Sequence, residues 1–358
     1  VDVSNICDTF RIAPWTGEDV RLPLARFMMQ TALERLERRE RPRCLLINLD
    51  DSLAIKDPAT RHLQGVDWHY DHSAKRRGRQ RLQNALSYLG CNIVADDWNF
   101  TFAIKPYLRD KTVRRINRRR PPDRRLRFVC KYRLARQVLE HCRQLIPPDV
   151  SVYVQFDAWY ASARMIKYIR RQGWHVTCPV RSNRNLDGKT INQRDLAQRH
   201  QRPIPVDIAA TDGSKRTFLV REMIGRLSKV PFDVRGLVSR RHYRDRRPVY
   251  FISTDLSLAL QQALQWYARR WNCEIDNFYL KQRLGLSDFR LQSYEAIDKF
   301  CTVVHLSWAY ILWRLSHTSD PHVRNPADVI RQHRDEHTRD WLVGACQQAI
   351  ASGDIESV

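Results

Sequence analysis

The sequence predicts an α/β fold: a mixed sheet flanked by helices, interrupted by a largely β insertion and followed by a helical C-terminal region. Three observations predict it. Two short, nearly continuous apolar runs, CLLINL at 44–49 and VSVYVQF at 150–156, each lead directly into an aspartate. Such runs read as strands buried on both faces. Helical spacing alternates with strand-like runs up to about residue 180, as in chains that build a sheet with crossover helices. Segment 181–255 then becomes polar and turn-rich, with short alternating runs at 217–220 and 249–252, which reads as β structure of a different kind.

Taken in order, the elements are these. Leu24, Phe27, Met28, Thr31, Leu33 and Leu36 have helical spacing and place a helix over 22–39. The strand at 44–49 follows, and two more are expected at 85–95 and 100–107 around an Asp96-Asp97-Trp98-Asn99 turn. The very basic segment 109–127 contains Arg118-Arg119-Arg120-Pro121-Pro122, and the prolines predict a loop. A helix over 125–145, the strand 150–156, a helix over 161–172 and a strand over 174–180 complete the first part. After the insertion a long helix is expected over 256–284, then helices over 292–316 and 326–351. This succession is the one an RNase H-like core uses. The expected divisions are an N-terminal helical segment (1–42), the first part of the core (43–180), the insertion (181–255), a core helix (256–290) and C-terminal helices (291–358).

Composition narrows the partner. The chain has 358 residues, 43% of them hydrophobic, enough for a sizeable core. Its formal net charge of +23 would repel itself without a polyanion, which points to nucleic acid through phosphate contacts and counterion release. A merely basic, solvated surface is the bland alternative. Nine cysteines are scattered with no C-x-x-C pair, which fits reduced thiols and not a disulfide framework or zinc ribbon. The longest apolar stretch, 300–313, is too short to span a bilayer and reads as a buried helix, so no membrane partner is expected. The chain begins at Val1, so further residues are expected upstream.

The chemistry is carried by carboxylates. Asp50 and Asp157 each follow an apolar strand. Adjacent parallel strands ending in Asp bring two carboxylates to one sheet edge, where open α/β sheets place ligands. Two hard oxygen donors side by side suit Mg²⁺ or Mn²⁺. Taken singly, either Asp reads more readily as a turn or cap residue. A third element changes that balance. Tyr267, Arg270, Glu274 and Lys281 lie at offsets 0, 3, 7 and 14 in YARRWNCEIDNFYLK. On one α-helix they fall within roughly 60° of each other, along a stripe of about 21 Å. Cations for phosphates around a carboxylate for metal suit a DNA-lined groove; a solvated charged face is the alternative.

The spacing Y-x2-R-x3-E-x6-K matches the Tyr-Arg-Glu-Lys signature of bacterial insertion-sequence transposases of the DDE type, and RRWNCEIDNFYLKQRLGL is similar to their segment around the third acidic residue. Asp50-Asp51-Ser52 resembles their first Asp motif and FDAWYAS, at 156–162, their second; the resemblance covers roughly 43–316. It implies that Asp50, Asp157 and Glu274 are the catalytic metal ligands and hold two Mg²⁺ or Mn²⁺ ions. Asp51 competes with Asp50, which is preferred because Ser52 then takes the motif's hydroxyl position. Tyr267, Arg270 and Lys281 would contact DNA phosphates; Lys75, Arg76, Arg77, Arg118, Arg119 and Arg120 are candidates for wider DNA contacts.

The implied activity is cut-and-paste transposition. It comprises strand cleavage at transposon ends and strand transfer into target DNA, by a homodimer on double-stranded DNA in the bacterial cytoplasm, associated with the nucleoid. Relatives stack a tryptophan of the insertion on a flipped base; no Trp occurs between 181 and 255. Relatives also carry a helical DNA-binding region before the first Asp, where this chain has 49 residues. Two alternatives stand beside this reading: an inactive or domesticated transposase-derived DNA-binding protein, and another RNase H-like DNA nuclease. His333-Arg334-Asp335-Glu336-His337 matches H-x-x-E-H, but its place in a charged helix near the C-terminus argues against a zinc site.

Overall fold

A computed structural model describes residues 3–38, 42–71, 81–209, 214–245 and 247–352. The chain divides into two compact units, Val1–His305 and Leu306–Val358. The first opens with helices α1 (Val3–Arg11) and α2 (Gly17–Glu37). It continues with β1 (Cys44–Ile55), β2 (Asp67–Tyr70), β3 (Leu82–Ala95) and β4 (Trp98–Tyr107). Next come α3 (Asp110–Asn117), α4 (Lys131–Leu145), β5 (Ser151–Phe156), α5 (Ala163–Arg171) and β6 (His175–Val180). A small hairpin, β7 (Asn185–Leu186) and β8 (Lys189–Thr190), leads into α6 (Ile191–Ala197). Four strands follow: β9 (Ile204–Ala209), β10 (Lys215–Arg226), β11 (Asp233–Arg240) and β12 (Val249–Ser253). The last helices are α7 (Leu260–Ala268), α8 (Asn272–Gln282), α9 (Tyr294–His317) and α10 (Pro326–Ser352).

The architecture is a large mixed sheet flanked by helices, the α/β class expected of an RNase H-like core. Its order is β2-β3-β1-β5-β6-β12-β11-β10-β9, with β4 also on β3. β3 pairs antiparallel with β1 from Ala85 to Ala95 and with β4 from Ser87 onward, so β1, β3 and β4 form the expected meander. The hairpin between β3 and β4 turns at Asp96, whose φ of 54° is left-handed, a conformation Asp tolerates better than most residues. β5 and β6 then add parallel to β1. The segment after β6 does not form a detached module: β12 pairs antiparallel with β6 and extends the same sheet. Leu45, Ile47, Leu49, Val154 and Phe156 are all fully buried, as continuous apolar runs in a two-sided sheet should be.

Three expectations are corrected. β1 does not end at Leu49 but runs to Ile55, because β3 keeps pairing with it as far as Ile55↔Ala85 after β5 has left at Leu49↔Phe156. The basic segment 109–127 is not all loop. The prolines restrict only the chain next to them, and α3 forms ahead of them by burying Thr112, Val113 and Ile116. Pro122–Arg124 adds a single 3-10 turn. The long helix over 256–284 is two helices joined by a 3-10 turn, Arg269–Trp271. It starts late because Asp255 Oδ1 accepts bonds from the backbone N–H and the hydroxyl of Ser257, which hold that stretch in a turn.

The second unit holds the end of α9 and α10. α10 leaves Trp341, Leu342, Val343 and Ile350 exposed. His333 pairs with Glu336 at 3.3 Å and its ring lies 5.2 Å from that of Tyr310, so the H-x-x-E-H segment reads as helix-surface contacts.

Candidate active site

Strand register brings the two aspartates together. Leu49↔Phe156 is the last parallel pair of β1 and β5, so Asp50 and Asp157 occupy the next level on neighbouring strands. β1 continues through Asp50, with Gly90 of β3 opposite it. Asp157 leaves the sheet, and its Oδ1 accepts from the backbone N–H of Trp159 at 2.9 Å and of Tyr160 at 3.4 Å. Side chains alternate along a strand, which separates the two candidates at 50 and 51. Asp50 and Ser52 face the 3-10 turn after α7 and α8 itself. Arg270 Nη1 donates to Asp50 Oδ2 at 3.0 Å, and Lys281 Nζ donates to Ser52 Oγ at 3.0 Å. Asp51 points the other way and is ion-paired with Lys131 at the start of α4.

The polar stripe survives the break in the helix. Arg270 Nη2 reaches Glu274 Oε1 at 3.3 Å, so one guanidinium spans Asp50 and Glu274. Its centre also lies 5.7 Å from the ring of Tyr267, and that ring packs edge-on against Phe251 at 4.9 Å. The 3-10 turn is where two successive arginines both bind the sheet, Arg270 at Asp50 and Arg269 at the carbonyl of Asp96. Among the described residues no three His, Cys, Asp or Glu side chains close into a metal cage. The guanidinium stands between Asp50 and Glu274 instead.

Burial sets the electrostatics. It pushes the Asp50 carboxyl up to about 6, against the pull of Arg270 and with help from Asp157, Asp51 and Glu274. Asp157 is raised for the same first reason, opposed by its backbone N–H donors. Burial also pushes the Tyr267 phenol up to about 12 and lowers Lys281. Burial works against the charge on Arg270, yet Tyr267 and Asp50 raise it, so this cation stays fully ionised. Excess negative charge in a desolvated place is what a bound cation relieves.

The wider basic candidates divide. Arg118 and Arg119 are exposed after α3. Arg120 is engaged within the fold, paired with Glu295 at 2.6 Å and only 14% exposed. Lys75, Arg76 and Arg77 lie outside the described residues.

Sequence reading missed what holds α8 in place. Asp276, 5% exposed, accepts at Oδ2 from Asn92 Nδ2 at 2.9 Å and Thr101 Oγ1 at 2.7 Å. Asn48 Nδ2 extends the chain to Asn92 at 3.3 Å, and Tyr88 donates to Asn277 at 2.7 Å. Asn48 and Asn92 are polar residues inside apolar strands, and that anomaly was the available signal. Also unforeseen is a cleft of about 610 Å³ beside Asp157, lined by Trp159, Tyr132, Arg181, Arg184 and Lys229 among others. Trp159 and Tyr132 stack there with ring centroids 4.6 Å apart.

The family model of the transposase DDE domain matches residues 129–310, just over half the chain. The match spans Asp157, Tyr267, Arg270, Glu274 and Lys281 and begins after Asp50. No curated protein matches the chain. Members of this family are generally dependent on divalent metal and act on DNA. With this sheet, these carboxylates at its edge and this match, the chain belongs to the DDE transposases.

Proposed function

We propose that this protein is a cut-and-paste DNA transposase that cleaves strands at transposon ends and joins them to target DNA, with Asp50, Asp157 and Glu274 as its catalytic carboxylates. The observation that carries this reading is the shared level of Asp50 and Asp157 on adjacent parallel strands, with Glu274 drawn to Asp50 through Arg270. The donor set fits Mg²⁺ or Mn²⁺, because all three ligands are hard oxygens. The site already holds one cation, the Arg270 guanidinium, between two of them. When bound, two such ions supply charge neutralisation and Lewis acidity for phosphodiester cleavage and transesterification.

The chain's own residues then have distinct tasks. Asp50 is held by the β1–β3 ladder and Glu274 by α8, itself fastened to the sheet through Asp276. Arg270 and Lys281 offer phosphate contacts on the same face, and Tyr267 braces Arg270. Arg118 and Arg119, and Lys75, Arg76 and Arg77, extend the contact with double-stranded DNA. Joining two ends requires two sites, so the working form is a homodimer on DNA, in the bacterial cytoplasm at the nucleoid. Among the described residues no helix is long and apolar enough to cross a membrane.

The test is Mn²⁺ binding by calorimetry together with Mn²⁺-dependent cleavage of plasmid DNA. Wild-type protein is expected to bind Mn²⁺ and cut, and Asp50→Asn, Asp157→Asn and Glu274→Gln to lose both. Variants that bind and cut like wild type would overturn the assignment.

A further inference from the structure

Strand register also carries the level of the aspartates across the sheet. Gln155 pairs with Thr177, so Asp157 stands level with Pro179. Pro179 pairs with Phe251, and Phe251 with Leu237. Three residues beyond Leu237, β11 ends at Arg240 and the chain turns through RHYRDRR before β12 begins at Val249. This turn therefore projects from the same sheet edge as Asp50 and Asp157. Three inter-strand steps separate β5 from β11, about 14 Å at ~4.8 Å per step. That distance is roughly four base pairs of duplex at ~3.4 Å each.

Residues 240–247 contain five arginines and one aspartate. Arg240 is held inward: it and Arg221, at 3.2 Å, both pair with Asp195, which is 1% exposed. Arg241, Tyr243, Arg244 and Arg247 are exposed, and no ion-pair partner is found for those three arginines among the described residues. Asp245 Oδ1 accepts from the backbone N–H of Arg247 at 3.1 Å, and its single negative charge is outnumbered by the three exposed arginines around it. Exposed Arg199 shares a cavity of about 360 Å³ with Tyr243 and Arg244. A buried carboxylate thus fixes the base of a turn whose tip carries excess positive charge. Planar guanidinium groups suit the oxygens of a phosphate backbone.

We propose that Arg241, Arg244 and Arg247, in the turn between β11 and β12, form with Arg199 a second DNA-backbone contact surface that grips the duplex on the insertion side of the catalytic edge. The inference rests on the transposase reading above and adds the place where the duplex must lie. It holds DNA along the sheet edge without reading its sequence, since phosphate contacts position and do not specify.

The test uses the full chain and a 40-base-pair duplex of arbitrary sequence, with affinity measured by fluorescence anisotropy across a salt series. Each lost phosphate contact lowers the slope of log K against log salt by about 0.9. Replacing Arg241, Arg244 and Arg247 with Ala is expected to lower that slope by about 2–3 and weaken binding at least about tenfold at 0.1 M salt. Replacing Arg331, Arg334 and Arg339 of α10 removes the same charge elsewhere and is expected to leave the slope unchanged. Mn²⁺ affinity and the melting temperature should not move in either triple variant. If the two triples lower the slope equally, or neither does, the proposed surface is wrong while the active-site reading stands. If wild-type protein shows no salt-dependent duplex binding at all, the transposase reading fails with it.

Discussion

Two carboxylate–guanidinium clusters lie on this one sheet, and they are unbalanced in opposite senses. At the candidate active site a single arginine, Arg270, serves Asp50 and Glu274, with Asp157 beside them. In the insertion a single aspartate, Asp195, serves Arg221 and Arg240. The first cluster keeps Glu274 41% exposed and is short of positive charge; the second hides its carboxylate at 1% and has positive charge to spare. An ion pair in isolation says little about function. The sign of the leftover charge and its access to solvent say more: the first cluster calls for a cation, the second holds a frame from which cations reach an anion.

Several substitutions would sharpen or break this contrast. The largest effect is expected from Glu274→Gln or Asp50→Asn, which should lower Mn²⁺-dependent plasmid cleavage on the order of 10⁴-fold, as loss of a central catalytic group does. Asp195→Asn should lower that cleavage far less, since its side chain only anchors the turn and touches no catalytic carboxylate. Asp195→Ala, in turn, is expected to cost about 3–5 kcal/mol in urea unfolding by leaving two partly buried arginines without their partner. Equal effects of the two sites on cleavage would collapse the comparison.

Next in size is Asp276→Ala. It strips the shared acceptor from Asn92 and Thr101 and should cost about 2–3 kcal/mol, whereas Asp276→Asn, which keeps an acceptor oxygen, should cost far less. Arg270→Ala is expected to tighten Mn²⁺ binding about tenfold, since it removes the positive charge that spans two of the proposed ligands. The same change should weaken duplex binding. A fall in Mn²⁺ affinity would show that Arg270 shapes the site instead of competing for it.

The smallest expected effect is on pH. The Asp50 carboxyl is raised from its ordinary value to about 6, and Asp157 is raised as well. The metal-free folded state therefore binds more protons than the unfolded chain between about pH 4 and 6. Its stability should fall as pH rises through that window, then level off above it. Chemical denaturation at several pH values without metal checks the sign, and added Mn²⁺ should erase the trend.

Much of this was legible from the chain because the relevant signals are local. CLLINL and VSVYVQF are apolar enough to be strands whatever their surroundings, so Asp50 and Asp157 could be placed at one edge. Period-two alternation explains why Asp50 and Ser52 share a face and Asp51 does not. What was hidden depends on partners distant in sequence. The polar stretch DDSLAI stays in β1 only because β3 runs alongside it. The amphipathic face of α3, Val113 and Ile116, is masked by four charges in an eight-residue helix and by the arginines that flank it at 109 and 118. The direction of the 240–247 turn follows from register alone, through three pairings that no local pattern announces.

The unequal lengths of β1 and β5 have a mechanical consequence. Asp50 is built into a strand whose ladder with β3 continues past it for five more residues, to Ile55. Asp157 hangs at the first position where its strand has let go, and among the described residues its carboxylate is hydrogen-bonded only to the amides of its own turn. The site resembles a vice with one fixed jaw and one on a screw. On the function proposed above, a centre that cuts a strand and then joins it to another would grip two differently shaped phosphates, and the adjustment would fall to the 157–162 turn while the β1 ladder keeps the reference point still.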